Sequence, residues 1–231
     1  PSGVSGESKK DTTEKSEESD EPSKYTGVGL SIGSVMQYTD TMTPPVRGEF
    51  SYLEPTLSKW GRIFSNEHIG TYSPKIKTVC DSIYNSRTKK ISDGIILIYS
   101  NYIEGGLIPM ALALEEMGFD RFGSDNLFRT PPPDKSVKTG EKYVMITGDS
   151  RLSPDNDGVV KRVGGESNQW GKDIKIVLIS RAGSEGIDFK FIRQIHILDP
   201  WYNINRLEQI IGRGVRNMSH RALEFKNRNV Q

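Results

Sequence analysis

Ile174-Lys-Ile-Val-Leu-Ile-Ser180 runs directly into Arg181-Ala-Gly-Ser-Glu-Gly-Ile-Asp188, and this junction decides the fold. The first part is an apolar run of strand length that ends on a hydroxyl. In the second, Gly183 and Gly186 make a loop whose backbone can approach a phosphate closely, and Asp188 can accept from a sugar hydroxyl. A second segment, Gln209-Ile-Ile-Gly-Arg-Gly-Val-Arg216, lies on a helix expected from about Asn203 that carries Ile204, Leu207, Ile211 and Val215 on its apolar face. Arg213 and Arg216 are three apart on one helical face and can point together at a triphosphate.

Outward from these two segments the pattern repeats. Gly94–Ser100, Tyr143–Thr147 and Gln194–Leu198 read as strands. Gly105–Gly118 reads as a helix, with Leu107, Met110, Ala111, Leu114 and Met117 on one face. Ser73-Pro74 is an N-cap followed by proline at the first helical position, and Ile76, Val79, Cys80, Ile83 and Tyr84 continue at helical spacing until about Lys89 and Lys90. Strands apolar throughout and interleaved with helices imply an α/β fold, a parallel sheet covered on both faces. In such sheets the loops at the carboxyl ends of the strands form the ligand crevice.

The first segment resembles motif V of superfamily-two helicases, and the second resembles their motif VI, of the form Gln-x-x-Gly-Arg-x-x-Arg. The strand ending at Ser100 with Asn101 is similar to motif IV. The resemblance runs from about Ser73 to Arg216 and implies a RecA-like helicase C-terminal domain. It further implies roles: Ser180 and Asn101 toward the nucleic-acid backbone, Gly186 and Asp188 toward the nucleotide ribose, and Gln209 coupling motif VI to the nucleotide. Arg213 and Arg216 would reach the γ-phosphate, with Arg216 the arginine finger. The stretches Ser184–Lys190, Gln194–Asn203 and Arg206–His220 look similar to the helicases of nucleocytoplasmic large DNA viruses, and Asp199, Trp201 and Asn203 also resemble a stretch of Swi/Snf-type translocases. By the resemblance the cofactors are ATP and Mg2+, the magnesium ligands belonging to an N-terminal RecA-like domain of the same parent protein. The partners are that domain and DNA or RNA.

The other half of such a motor is not in the sequence. Its nearest approach to a phosphate-binding loop, Gly165 to Gly171-Lys172-Asp173, has the wrong spacing, and Asp173 stands where a magnesium-binding hydroxyl is needed. The fragment is therefore expected not to hydrolyse ATP unaided. An alternative class is a non-catalytic RecA-like scaffold, or a subunit of viral transcription machinery. Without Gln209 and Gly212, the two arginines would read as solvated cations on a helix face.

Composition sets the outer bounds. The chain has 231 residues, enough for one α/β domain with tails, expected as a RecA-like domain over 73–231 and an irregular connector over 25–72. It begins at Pro1 and reads as a piece of something longer. The single cysteine, Cys80, cannot form an internal disulfide and lies on the apolar face of its helix, as a core thiol would. His68 and His220 lack partners at metal-ligand spacing, so no metal site is expected, and His196 reads as a buried or hydrogen-bonded strand residue. No apolar run is long enough to span a membrane, and the expected location is intracellular, in host cytoplasm or virion for a viral protein.

Residues 1–24 hold four Lys against seven Asp and Glu, with Val4 as the one large aliphatic residue, too little apolar surface to offset the entropy of ordering. They are expected to be a disordered tail. Deleting them should leave the melting temperature of the chain unchanged, and protection of their amides from hydrogen exchange would contradict that expectation.

Overall fold

The computed structural model of the chain describes residues 36–37, 50–52, 54–130, 132, 140–184, 186–199, 204–214 and 230. The expected tail at 1–24, Trp201 and Arg216 lie outside them. Nine strands are described: β1 (Met36–Gln37), β2 (Ser51–Tyr52), β3 (Tyr84–Asn85), β4 (Lys90–Ile91), β5 (Ile95–Ser100), β6 (Asp120–Arg121), β7 (Lys142–Ile146), β8 (Ile176–Ser180) and β9 (Ile192–Ile197). The α-helices are α1 (Glu54–Trp60), α2 (Ile69–Tyr72), α3 (Pro74–Ile83), α4 (Ile108–Met117), α5 (Asn156–Val163) and α6 (Ile204–Gly214). Five strands form one parallel sheet in the order β6-β7-β8-β5-β9, as the interleaved apolar runs imply.

Every side chain of β5 and β8 is buried, and their alternation divides the core in two. Ile96, Ile98, Tyr143, Met145, Ile176 and Leu178 face α3 and α4. Ile95, Leu97, Tyr99, Val144, Val177 and Ile179 face the other way, toward Val163 of α5 and Ile210 of α6. A strand two-sided in this manner is stable only if both faces are covered. Each CH2 moved out of water contributes about 0.8 kcal/mol.

Three expectations are corrected. The first helix stops at Ile83 instead of running to Lys90, because the Asn85 side chain accepts from the amides of Arg87 and Thr88, each at 3.0 Å, and turns the chain. Tyr84–Asn85 then pairs with Lys90–Ile91 as a small hairpin. The stretch between the expected strands Tyr143–Thr147 and Ile174–Ser180, polar in sequence and read without a regular element, contains a helix, α5, capped by Asp155, whose Oδ1 accepts from Gly158 N at 2.9 Å. On α6 it is Ile210, and not Ile211, that enters the core, leaving Ile211 43 % exposed. Apolar spacings from Leu207 to Ile210 and from Leu207 to Ile211 are both helical, and packing on the sheet selects the first.

Helix α4 is buried all round, including Glu115 and Glu116. The sequence pattern presents one apolar face; on the other, Glu115 meets Leu127, Phe128 and Tyr143, and Glu116 meets Tyr52 and Arg62 of residues 50–72, part of the expected irregular connector over 25–72. That segment contains α1 and α2, and it contributes the buried side chains Phe50, Ile63, Phe64 and Ile69 to the core. Phe50 N donates to Leu127 O at 2.9 Å, and Arg129 N donates to Phe50 O at 2.8 Å. The two carboxylates are then compensated in full. Glu115 accepts from Leu127 N (2.7 Å), Phe128 N (2.8 Å) and the Tyr143 hydroxyl (2.5 Å). Burial raises its pKa, and those three donors oppose the rise. Glu116 accepts from the Tyr52 hydroxyl at 2.7 Å and from Arg62 Nε at 3.1 Å, while the Arg62 guanidinium lies over the Tyr52 ring at 4.9 Å.

Tyr52, Arg62 and Glu116 therefore act as a buckle between residues 50–72 and the domain. Glu116→Ala, which strands Arg62 beside an apolar helix, should cost about 3 kcal/mol, and Tyr52→Phe about 1 kcal/mol. In urea denaturation of the full chain, the Tyr52→Phe cost should shrink once Glu116 is Ala, leaving the part due to the bond that the Tyr52 hydroxyl accepts from Phe64 N at 3.2 Å. Fully additive costs would show that the two side chains are not energetically coupled.

Candidate functional site

The carboxyl ends of β5, β7, β8 and β9 line one edge of the sheet. Ser100 and Ser180 are register partners, about 4.8 Å apart as neighbouring strands require. Asn101 and Arg181 thus leave the sheet side by side. Asn101 is held in place: its amide N–H and Nδ2 donate to Asp199 Oδ2 at 2.8 and 2.6 Å, and Tyr99 donates its hydroxyl to Asn101 Oδ1 at 2.8 Å. These bonds, with Leu198 N donating to Tyr99 O at 2.9 Å, tie the ends of β5 and β9 together.

Ser180 is only 2 % exposed. Its Oγ accepts from Gly183 N at 3.1 Å and so starts the 3-10 turn Ala182–Ser184. The hydroxyl that the resemblance assigns to a backbone phosphate is turned into the protein. What it leaves on the surface is the loop it shapes, with Arg181, Ala182, Gly186 and Asp188 exposed.

Two glycines in that loop are needed for different reasons. A Cβ on Gly183 would lie 2.2 Å from Ile146 O at the end of β7, so only glycine allows the loop to seat there. Gly186 has open space where a Cβ would go, but its φ of +71° is the left-handed region that disfavours other residues. Beyond it Phe189 is buried, and the connection to β9 crosses β5 on the face that also receives Ile210. Gln209 is exposed on α6, and the backbone of Arg213 lies one turn further along that helix. The 180–188 loop and α6 are therefore anchored in a common apolar cluster, through Ile187, Phe189 and Ile210.

One part of this edge went unread in the sequence. Thr147-Gly-Asp-Ser150 follows β7 with the same pattern, a hydroxyl then a glycine, that marks Ser180. Thr147 is buried, its amide donates to Ser153 Oγ at 2.9 Å, and Asn156 Nδ2 donates to its carbonyl at 2.8 Å. A Cβ on Gly148 would come within 2.8 Å of the Ala182 Cβ, so the loops after β7 and β8 interlock at two glycines. At the exposed tip, Arg151 donates from Nε and Nη2 to the Asp149 carboxylate, and this holds Asp149 below the usual carboxylate range.

Other candidates have ordinary explanations. Burial pushes the Cys80 thiol up to about 12, far from a reactive thiolate. His196 is half-buried with Nε2 3.3 Å from Gln194 Oε1, and burial lowers its pKa. Among the described residues no group of three His, Cys, Asp or Glu side chains is placed to hold a metal ion, and no helix is long and apolar enough to cross a membrane.

A parallel sheet with helices on both faces, and with glycine loops and a Gln-bearing helix anchored at its carboxyl edge, defines a RecA-like helicase domain. The chain belongs to the helicase conserved C-terminal domain family, whose model matches residues 74–218. It is 31% identical over 185 residues to the termination factor NPH-I homolog of an African swine fever virus isolate, covering 70% of this chain and 25% of that protein. It is 32% identical over 164 residues to a protein of Acanthamoeba polyphaga mimivirus whose name describes an ATP-dependent RNA helicase, covering 71% of this chain and 26% of that protein. The chain thus spans about a quarter of the length of these viral relatives.

The two glycines separate sterically. Gly183→Ala has to displace the loop from β7 and should cost about 2–3 kcal/mol, within the range for overpacking. Gly186→Ala meets no atoms and should cost about 1 kcal/mol, from backbone conformation alone. Thermal melts of the two variants would check the order, and equal costs would contradict the seating of Gly183 on Ile146.

Proposed function

We propose that this chain is the second motor domain of an ATP-dependent nucleic-acid helicase or translocase, completing an interdomain ATP site and half of a nucleic-acid track. The observation that carries the reading is the shared anchoring of the 180–188 loop and α6 at the carboxyl edge, where open parallel sheets bind their ligands. Gly186 and Asp188 are exposed on the loop, on the side where a ribose would lie. Arg213, and Arg216 beyond the described residues, stabilise charge on the transferring phosphoryl group, with Arg216 as the finger. Asn101 and the loop shaped by Ser180 meet the nucleic-acid backbone. ATP draws the two RecA-like domains together, and loss of the bridging phosphate reopens the cleft.

The described residues do not fit a magnesium ion, since they offer no cluster of ligands. Its ligands belong to the N-terminal RecA-like domain of the parent. The track is DNA or RNA. The name of the swine fever virus relative, a termination factor, favours viral transcription machinery as a further partner, and with it an intracellular location in host cytoplasm or virion.

In the parent protein, Arg216→Ala should lower the ATP hydrolysis rate by roughly 10³–10⁵ while weakening ATP binding far less, because an arginine finger acts on the transition state. Arg216→Lys should rescue little, since an ammonium lacks the planar fork. Steady-state turnover and nucleotide binding, measured side by side, separate the two effects. Wild-type turnover in folded Arg216→Ala would leave a non-catalytic RecA-like scaffold as the better reading.

A further inference from the structure

Tyr102 leaves the carboxyl edge directly after Asn101 and is 37 % exposed. Single exposed aromatic residues are ordinary on protein surfaces. This one differs in how it is mounted. The buried Ser100 hydroxyl contacts the Tyr102 backbone twice, accepting from its N–H at 3.1 Å and donating to its carbonyl at 3.0 Å. That carbonyl also accepts from Leu107 N at 3.0 Å, closing a turn of π-helix over Ile103–Leu107. Such turns recur at functional positions. Gly106 must be glycine for the turn to close, because a Cβ there would lie 2.1 Å from Ser100 Oγ. On the other side, Asn101 is clamped to Asp199.

The result is an exposed ring on a backbone fixed at both ends, beside the strand end already assigned to the nucleic-acid track. Among the described residues its hydroxyl has no partner and its ring meets no other ring. Glu104, exposed two residues on, brings a negative charge that disfavours a phosphate at this point. A nucleobase has no charge to repel and offers a flat face. We propose that Tyr102 is a stacking platform for a nucleobase, so that the track holds a strand with accessible bases and not a closed duplex. The proposal rests on the nucleic-acid reading above and adds to it the contact by which the base, as distinct from the backbone, is held.

The test uses the full chain and fluorescein-labelled single strands of dT20 and rU20, with anisotropy read across a salt series. Stacking is independent of counterion release, so Tyr102→Ala should weaken binding on the order of 10-fold at every salt concentration without changing the salt slope. Tyr102→Phe and Tyr102→Trp should bind as the wild type does, and a strand carrying 5-iodouracil should photocrosslink to Tyr102. Unchanged affinity in Tyr102→Ala overturns the proposal, as does a changed slope, which signals a phosphate contact. Equal losses in Phe and Ala overturn it too, since the hydroxyl would then be the contact. If the wild-type chain binds neither strand at low salt, the nucleic-acid reading fails and the platform with it; wild-type binding with an indifferent Tyr102 removes the platform alone. Unchanged melting temperature in Tyr102→Ala confirms that its loss of affinity is local.

Discussion

The pairing of β5 with β8 is the constraint from which the rest of the structure follows. Five consecutive register pairs, from Ile96 with Ile176 to Ser100 with Ser180, place two wholly buried strands side by side. Neither strand has a face that tolerates water, so helices must cover both sides and the connections must cross from edge to edge. The same pairing sets Ser100 beside Ser180, and from those two hydroxyls the chain turns out into Asn101 and Tyr102 on one strand and the 181–188 loop on the other. One hydroxyl braces a π-helical turn and the other a 3-10 turn, so each strand end is finished by a buried serine.

Rigidity at this edge comes from close backbone approach. Gly183 on Ile146, Gly148 on Ala182 and Gly106 on Ser100 leave no room for a Cβ. Hydrogen bonds between Asn101 and Asp199 close the side toward β9. The groups left at the surface, Tyr102, Gly186, Asp188 and Gln209, are therefore presented from a fixed base. Close-packed elements of this kind transmit strain and move as units.

The folded unit extends beyond the residues that the family model matches. The family match begins at residue 74, yet Phe50, Ile63, Phe64 and Ile69 lie in the same core cluster as α4. Buried Glu116 would be a liability in a domain that started at α3, since its partners Tyr52 and Arg62 precede that helix. With the 50–72 segment in place, Tyr52 and Arg62 satisfy Glu116, while the 127–128 amides and Tyr143 satisfy Glu115. The segment is thus a structural part of the domain as it folds here.

Much of this was legible in residue order alone. Apolar runs with turn chemistry between them located β5, β7, β8 and β9, and the motif spacings around Ser180–Asp188 and Gln209–Arg216 pointed to the helicase family, because strand burial and backbone approach impose local patterns. Tertiary structure decided what no local pattern encodes. It chose Ile210 over Ile211 for the core, since both spacings are helical and only the position of the sheet separates them. It turned the Ser180 hydroxyl inward, because the nearest donor to it is the amide of Gly183 in a turn that closes only against β7. It buried both carboxylates of α4, since their donors come from segments as far as 64 residues away in the chain. Sequence determines which residues can be buried or can bend; long-range packing determines which of them are.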